Sequence, residues 1–208
     1  MTSIVIPENV TSIGEYAFQS CDALTSVTIF DLSAWCKIDF NGFFSSPLLY
    51  GAKLYLNDQL LTELTIPEDI TKIKGYAFLG CSSIKKVNIS DNVTSIGNYA
   101  FYDCDALTSI IIPNNVTSIG NYAFENCEAL TSVTIGSGVT FIGKYAFSQC
   151  HNLSVCYCYA TKTPGAWDSE RPFYEIKSGA VLYVPIRCKA SYESHNWTQD
   201  FSVILEMD

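Results

Sequence analysis

The chain has 208 residues, 48% hydrophobic and 16% charged, with a formal net charge of −9. That is ample material for a buried core and argues against disorder, while the few, scattered Lys and Arg argue against a surface built for nucleic-acid phosphates or an anionic membrane. No apolar run approaches the roughly 18–20 residues that span a bilayer, and the chain opens without a basic-then-apolar leader.

Residues 1–29 are read as regular repeats. Met1, Ile4, Ile6 and Pro7 stand in the same frame as the later "LTSVTI" (24–29), which has the form L-x-x-V-x-I. The alternating tail of that stretch is the signal of a half-buried strand, with Val27 and Ile29 inward and Ser26 and Thr28 outward. Pro7 cannot donate to a ladder and ends the strand before it. "VTSIG" (10–14) is a second short β-prone segment, closed by a glycine that permits a turn. "YAFQSC" (16–21) is too short for a full α-helix but suits one helical or 3-10 turn, with Ala17 and Phe18 inward.

Residues 30–60 are an irregular insertion. "LSAWCKIDF" (32–40) predicts a short helix; after a loop, "KLYL-ND-QLLTELTI" (53–66) predicts a hairpin turning at Asn57-Asp58. Leu61, Leu64 and Ile66 restore the strand frame. Trp35, Phe40, Phe43, Phe44 and Tyr50 could anchor a partner, although Trp35 and Phe40 are expected to pack the insertion itself.

Residues 61–158 are regular again. Gly97, Gly120 and Gly143 stand 23 residues apart, with Lys74 one period earlier and Gly14 a further 60 back, which is two periods and 14 extra residues. In this frame Phe18, Phe78, Phe101, Phe124 and Phe147 form one column and Cys21, Cys81, Cys104, Cys127 and Cys150 another. Strand segments recur as "IKKVNI" (84–89), "LTSIII" (107–112) and "LTSVTI" (130–135). Residues 159–208 predict a last strand and then a helix around Lys189–Asn196, closing the core as a cap. One copy cannot offset the entropy of ordering its own backbone. Stacked copies share walls and pair backbones, so the unit recurs.

The pattern "IPxNVTSIGxYAFxxCxxLTSVTI" resembles the BspA-type leucine-rich repeat over almost the whole chain. Residues 32–67 resemble a longer repeat that such proteins carry, and the last fifty or so resemble their closing module. The resemblance implies a leucine-rich-repeat solenoid over 1–208 as a single domain, mostly β. It would be a parallel β-sheet of about eight short strands, with short second strands and helical or 3-10 turns opposite. It also implies a protein that is not an enzyme and holds no cofactor, secreted or on a microbial surface. The expected role is a recognition module of adhesion type whose ligand is a protein or a glycan. The alternative is a rigid structural spacer within a longer surface protein. Free thiols suit a reducing compartment and suggest an intracellular scaffold as a third reading.

Two sets of residues are candidates for binding. Tyr16, Tyr76, Tyr99, Tyr122 and Tyr145 form a column expected to lie partly outward, and a tyrosine ring combines apolar area with a hydroxyl. The outward strand residues Ser26, Thr28, Lys86, Asn88, Ser109, Ile111, Ser132 and Thr134 should line one face of the main sheet. The cysteine column reads as buried structural thiols, and in "CHNLSVCYC" (150–158) the frame lays Leu153, Cys156 and Cys158 in a core row rather than around a metal. Cys36 and Cys188 fall in irregular segments and are left unassigned. His151 and His195 sit in no nucleophile or metal motif. Asn9, Asn92 and Asn115 head glycosylation-type "NVT" triplets that come with the repeat. The first strand is expected to leave a raw parallel edge that pairs end to end with another copy or is unstable.

Overall fold

The structure is a computed structural model and describes residues 1–166 and 171–207. Each coil lays one short strand on a main face: β1 (Ser3–Val5), β2 (Ser26–Ile29), β3 (Lys53–Leu56), β4 (Glu63–Thr65), β5 (Lys86–Asn88), β6 (Ser109–Ile112), β7 (Ser132–Ile135), β8 (Val155–Cys158), β9 (Val181–Val184) and β10 (Val203–Glu206). The chain is a parallel solenoid, and the period of 23 sets its register: Ser109 lies opposite Ser132, and Val133 opposite Cys156. On the opposite side of each coil two-residue strands repeat the arrangement, with Lys72–Ile73, Ser95–Ile96, Ser118–Ile119 and Phe141–Ile142 in parallel. No helix among the described residues is long and apolar enough to cross a membrane.

The expected parallel β-strands form the main face, in two sheets. It divides into β1–β3 and β4–β10, because a short strand, Gln59–Leu60, turns back to pair antiparallel with β3. Asn57 and Asp58, with φ of 52° and 61°, make the tight turn that this hairpin needs. The second face breaks at the same place: Asp39–Phe40 pairs with Ser12–Ile13 but not with Lys72–Ile73. Side chains cross the gap instead. Trp35 Nε1 donates to the Ala77 carbonyl at 3.0 Å, Ser46 Oγ to Leu79 O at 2.9 Å, and Lys53 Nζ to Ser82 Oγ at 2.6 Å.

That break explains why Lys74 occupies a column otherwise held by glycine. A Cβ added at Gly97 would lie 2.4 Å from Gly75 N, and one at Gly120 or Gly143 would lie 2.5 Å from the backbone of the preceding coil. These glycines do not have left-handed φ. A turn does follow the column, as Ala146 N to Gly143 O at 3.3 Å shows, but what demands glycine is that adjacent coils run too close there for any side chain. At Lys74 the sheet has just been interrupted, so the ammonium can cross to the Lys37 carbonyl at 2.7 Å and pair with Asp39.

The turn expected at "YAF" forms, closed by bonds such as Leu79 N to Tyr76 O at 3.2 Å and Ser148 N to Tyr145 O at 3.1 Å, but it is entered through an unusual backbone. Tyr76, Tyr99, Tyr122 and Tyr145 are left-handed (φ 52–63°), as are Asp103, Asn126 and Gln149 just ahead of the cysteines. Each such residue costs about 1–2 kcal/mol, but the path turns N–H groups sideways onto the next coil. Tyr99 N reaches Asn121 O at 2.9 Å, Phe101 N reaches Ala123 O at 2.8 Å and Asp103 N reaches Glu125 O at 3.0 Å. An inter-coil ladder thus runs beside the turn bonds and satisfies the backbone donors that the turn leaves over.

Phe78, Phe101, Phe124, Phe147 and Phe173 are fully buried and stack in sequence at 5.1–5.3 Å, with planes within about 10°. Two hydroxyl ladders reinforce the coils from outside: Thr94, Thr117 and Thr140 in one column, and Thr108 and Thr131 in another, donate to carbonyls one coil back. The insertion forms the expected short helix, α1 (Leu32–Cys36), and at the C-terminal end the helix α2 (Lys189–Glu193) buries Tyr192, whose hydroxyl donates to Ala160 O at 2.7 Å. The reading of a last strand followed by a helix missed β10. After α2, Phe201 packs on Phe173 and Ile204 enters the core, so the chain completes another coil and pairs with β9.

Candidate ligand-binding face

Because strand side chains alternate, the residues between the buried Val and Ile positions form rows across the outside of the main sheet. Register places Glu63, Lys86, Ser109 and Ser132 in one row. Two residues on, a second row runs through Thr65 and Asn88, then Ile111, Thr134, Tyr157, Tyr183 and Leu205. Over β5–β7 these rows floor a groove of about 670 Å³. Lys86, Asn88, Ser109, Ile111 and Thr134 line it, so five of the eight strand residues singled out above meet in one place. Ser132 stands beside Ser109 outside the lining, and Ser26 and Thr28 lie on β2, in the other sheet.

The groove's wall comes from residues not singled out in the sequence. Asp91, Asn114 and Ser137 sit in the turns that follow β5, β6 and β7, and Tyr159 closes one end just past β8. Asn114 Oδ1 accepts from Ser137 N at 2.9 Å, which holds successive turns in line. Ile111 is 66% exposed and Tyr159 48%. Tyr157 and Tyr183 stack at 4.9 Å on the same face. Alternation with the buried Cys156, Cys158 and Leu182 was the available signal for that outward pair. The wall had no such signal, since its position depends on how turns lean over strands.

The tyrosine column lies on the turns. Tyr76, Tyr99 and Tyr122 are half-buried and stack at 5.3 and 4.7 Å; Tyr145 and then Tyr174 continue the band with tilted rings. Tyr16, 60% exposed, is set apart by the insertion and stacks on Phe44, while Phe43 stands edge-on to Tyr99 and Tyr102. The insertion thereby joins Tyr16 to the band. Burial first, then neighbouring tyrosines, pushes Tyr99 up to about 12, and burial with Asp103 and Glu125 does the same for Tyr102. Glu125 is raised to about 7, by burial and then by Asp103.

Cys81, Cys104, Cys127, Cys150, Cys156 and Cys158 are buried and unpaired, and Cys36 is buried in the insertion. Among the described residues no group of three or more His, Cys, Asp or Glu is placed to hold a metal ion. His151 and His195 rest on the Glu175 and Ser191 carbonyls. Asn92 and Asn115 have a structural use: each Nδ2 donates to a carbonyl of the preceding coil, at 2.8 and 2.7 Å.

A family model described as the BspA type leucine rich repeat region matches residues 1–49 and 50–163, in six copies. No curated protein matches the chain in sequence. Among solved structures, a leucine-rich repeat protein from Bacteroides ovatus is 22% identical with a TM-score of 0.54, over 100% of this chain and 43% of that one. A T. pallidum leucine rich repeat protein is 18% identical (TM-score 0.52; 100% and 87%), and the pneumococcal vaccine antigen PcpA is 16% identical (0.57; 100% and 68%). The likeness is one of fold, and the chain spans less than half the length of the Bacteroides protein.

Proposed function

Because this chain belongs to the BspA-type leucine-rich repeat family, we propose that it is a non-enzymatic recognition module, secreted or displayed on a cell surface, that holds a protein or glycan on the outer face of its main sheet. The observation that carries this is the groove over β5–β7, where Ile111 stands 66% exposed among amide and hydroxyl side chains. A concave site that combines apolar surface with a few convergent polar groups is the usual form of a ligand site.

The experiment is a binding screen of the purified chain against immobilised matrix proteins and glycans, repeated with Ile111→Arg. The substitution is tolerated by the fold because the side chain faces water, and it fills the groove with a charge. Loss of binding in the variant supports the reading. Binding that ignores Ile111→Arg but disappears with Tyr99→Ala plus Tyr122→Ala moves the site to the tyrosine band. No binding in either arm favours the spacer, which the regular, backbone-paired stack of coils and the longer Bacteroides relative both suit.

A further inference from the structure

We propose that the groove takes a neutral oligosaccharide, lying across the strands; this rests on the groove being the binding site and specifies what binds there. Strands β5, β6 and β7 are each paired on both sides. No backbone edge is available, so a peptide cannot enter by adding a strand, which is the usual way a sheet captures an extended chain. Recognition has to come from side chains.

Most of the groove's polar side chains are neutral hydroxyls and amides. Ser109 and Thr134 present hydroxyls that make no hydrogen bond among the described residues. Asn88 spends its Nδ2 on Thr65 Oγ1 at 3.2 Å and keeps its oxygen, whereas Asn114 spends its oxygen on Ser137 and keeps its amino group. The groove therefore offers donors and acceptors in mixed order, the complement of a ligand whose own groups are hydroxyls. Its two charges, Lys86 and Asp91, are opposite in sign, so neither an anionic nor a strongly cationic ligand finds net complementarity.

The apolar part fits the same ligand. Tyr159 supplies a half-exposed ring at the end of the groove and Ile111 an aliphatic surface at its centre. Together they match the C–H faces that a sugar ring presents between its hydroxyls. Neighbouring strands lie about 4.8 Å apart, so a saccharide chain laid across β5–β7 meets Asn88, Ile111 and Thr134 in turn, an aliphatic surface flanked by an amide and a hydroxyl.

The test uses the whole chain against an immobilised panel of neutral hexose and N-acetylhexosamine oligosaccharides, their sialylated and sulfated counterparts, and enzymatically deglycosylated matrix proteins. Neutral oligosaccharides should bind, and Tyr159→Ala, with the melting temperature unchanged, and Asn114→Ala, which also gives up the bond to Ser137 and lowers the melting temperature, should each weaken them by about tenfold or more. Capture of charged glycans alone, or of no glycan, overturns the proposal. Binding of deglycosylated protein that Ile111→Arg abolishes overturns the saccharide and leaves the groove as the site. Saccharide binding indifferent to Tyr159→Ala, Asn114→Ala and Ile111→Arg overturns both.

Discussion

The thiol of Cys127 donates to the carbonyl of Phe101, one coil back, at 3.3 Å. Cys104 and Phe78 repeat the contact at 3.4 Å, and Cys150 and Phe124 at 3.2 Å. A buried carbonyl needs a partner, and cysteine is small, apolar and still a weak donor. That combination explains the cysteine column better than burial alone. Cys127→Ala keeps the small apolar side chain but removes the donor, so it should cost about 1–2 kcal/mol in urea unfolding. A neutral result would reduce the contact to packing.

Thiol labelling should separate two classes. Cys21 and Cys188 are partly exposed, while the other seven of the nine cysteines are buried. Burial pushes the Cys36 and Cys81 thiols up to about 12 and Cys104, Cys127 and Cys156 well above their ordinary value. The thiolate is the reactive form. In the folded protein at pH 8 a disulfide reagent should react with two thiols and reach the rest only on unfolding. Rapid reaction of more than two would contradict the stacking of the cysteine column.

The glycine column makes a paired prediction. Gly120→Ala places a Cβ 2.5 Å from Asn98 N and should destabilise by about 1–3 kcal/mol, the usual cost of forcing extra volume into a packed site. Gly14→Ala meets nothing within 4 Å and should be neutral or slightly stabilising. Equal melting temperatures for the two variants would show that coil proximity does not set this column.

Stability should fall as pH rises from about 4.5 to 7. Below that window Glu125 is protonated in both folded and unfolded chains and makes no difference. Within it the unfolded chain releases its proton while the folded state holds it, because burial and then Asp103 raise the carboxyl to about 7. Above it the cost of the buried charge is complete. Burial raises Asp103 and Asp105 in the same direction, and Tyr99 and Tyr102 face Glu125 without offering a countercharge. Glu125→Gln should therefore melt at a higher temperature than the parent at pH 8 and at a similar one at pH 4. A parallel pH slope in both proteins would assign the effect elsewhere.

Much of the architecture was legible before any coordinates. The alternation that put Val27 and Ile29 inside and Ser26 and Thr28 outside is a property of a strand's own geometry, so it needed only the local sequence. Asn57-Asp58 was equally plain, since few residue pairs accept left-handed φ in tandem. The left-handed tyrosines were not legible. Tyrosine disfavours that conformation on its own, and only a neighbouring coil that accepts the Tyr99 and Phe101 N–H groups makes it worthwhile. For the same reason β10 escaped notice: residues 203–206 lie outside the repeat's spacing, and their strand depends on β9 being there to pair with.

That coils stack along one axis, and which side chains they bury, follows from the residue pattern of 1–208 without any knowledge of packing. A period of 23 and an alternation of two act between nearest neighbours and need no knowledge of the whole. Packing between coils sets where the main sheet breaks, lets Lys74 replace a glycine, and brings Asp91, Asn114, Ser137 and Tyr159 around a groove that holds Ile111. Those features depend on distances between coils and on how turns lean over strands, which emerge only when copies pack against one another.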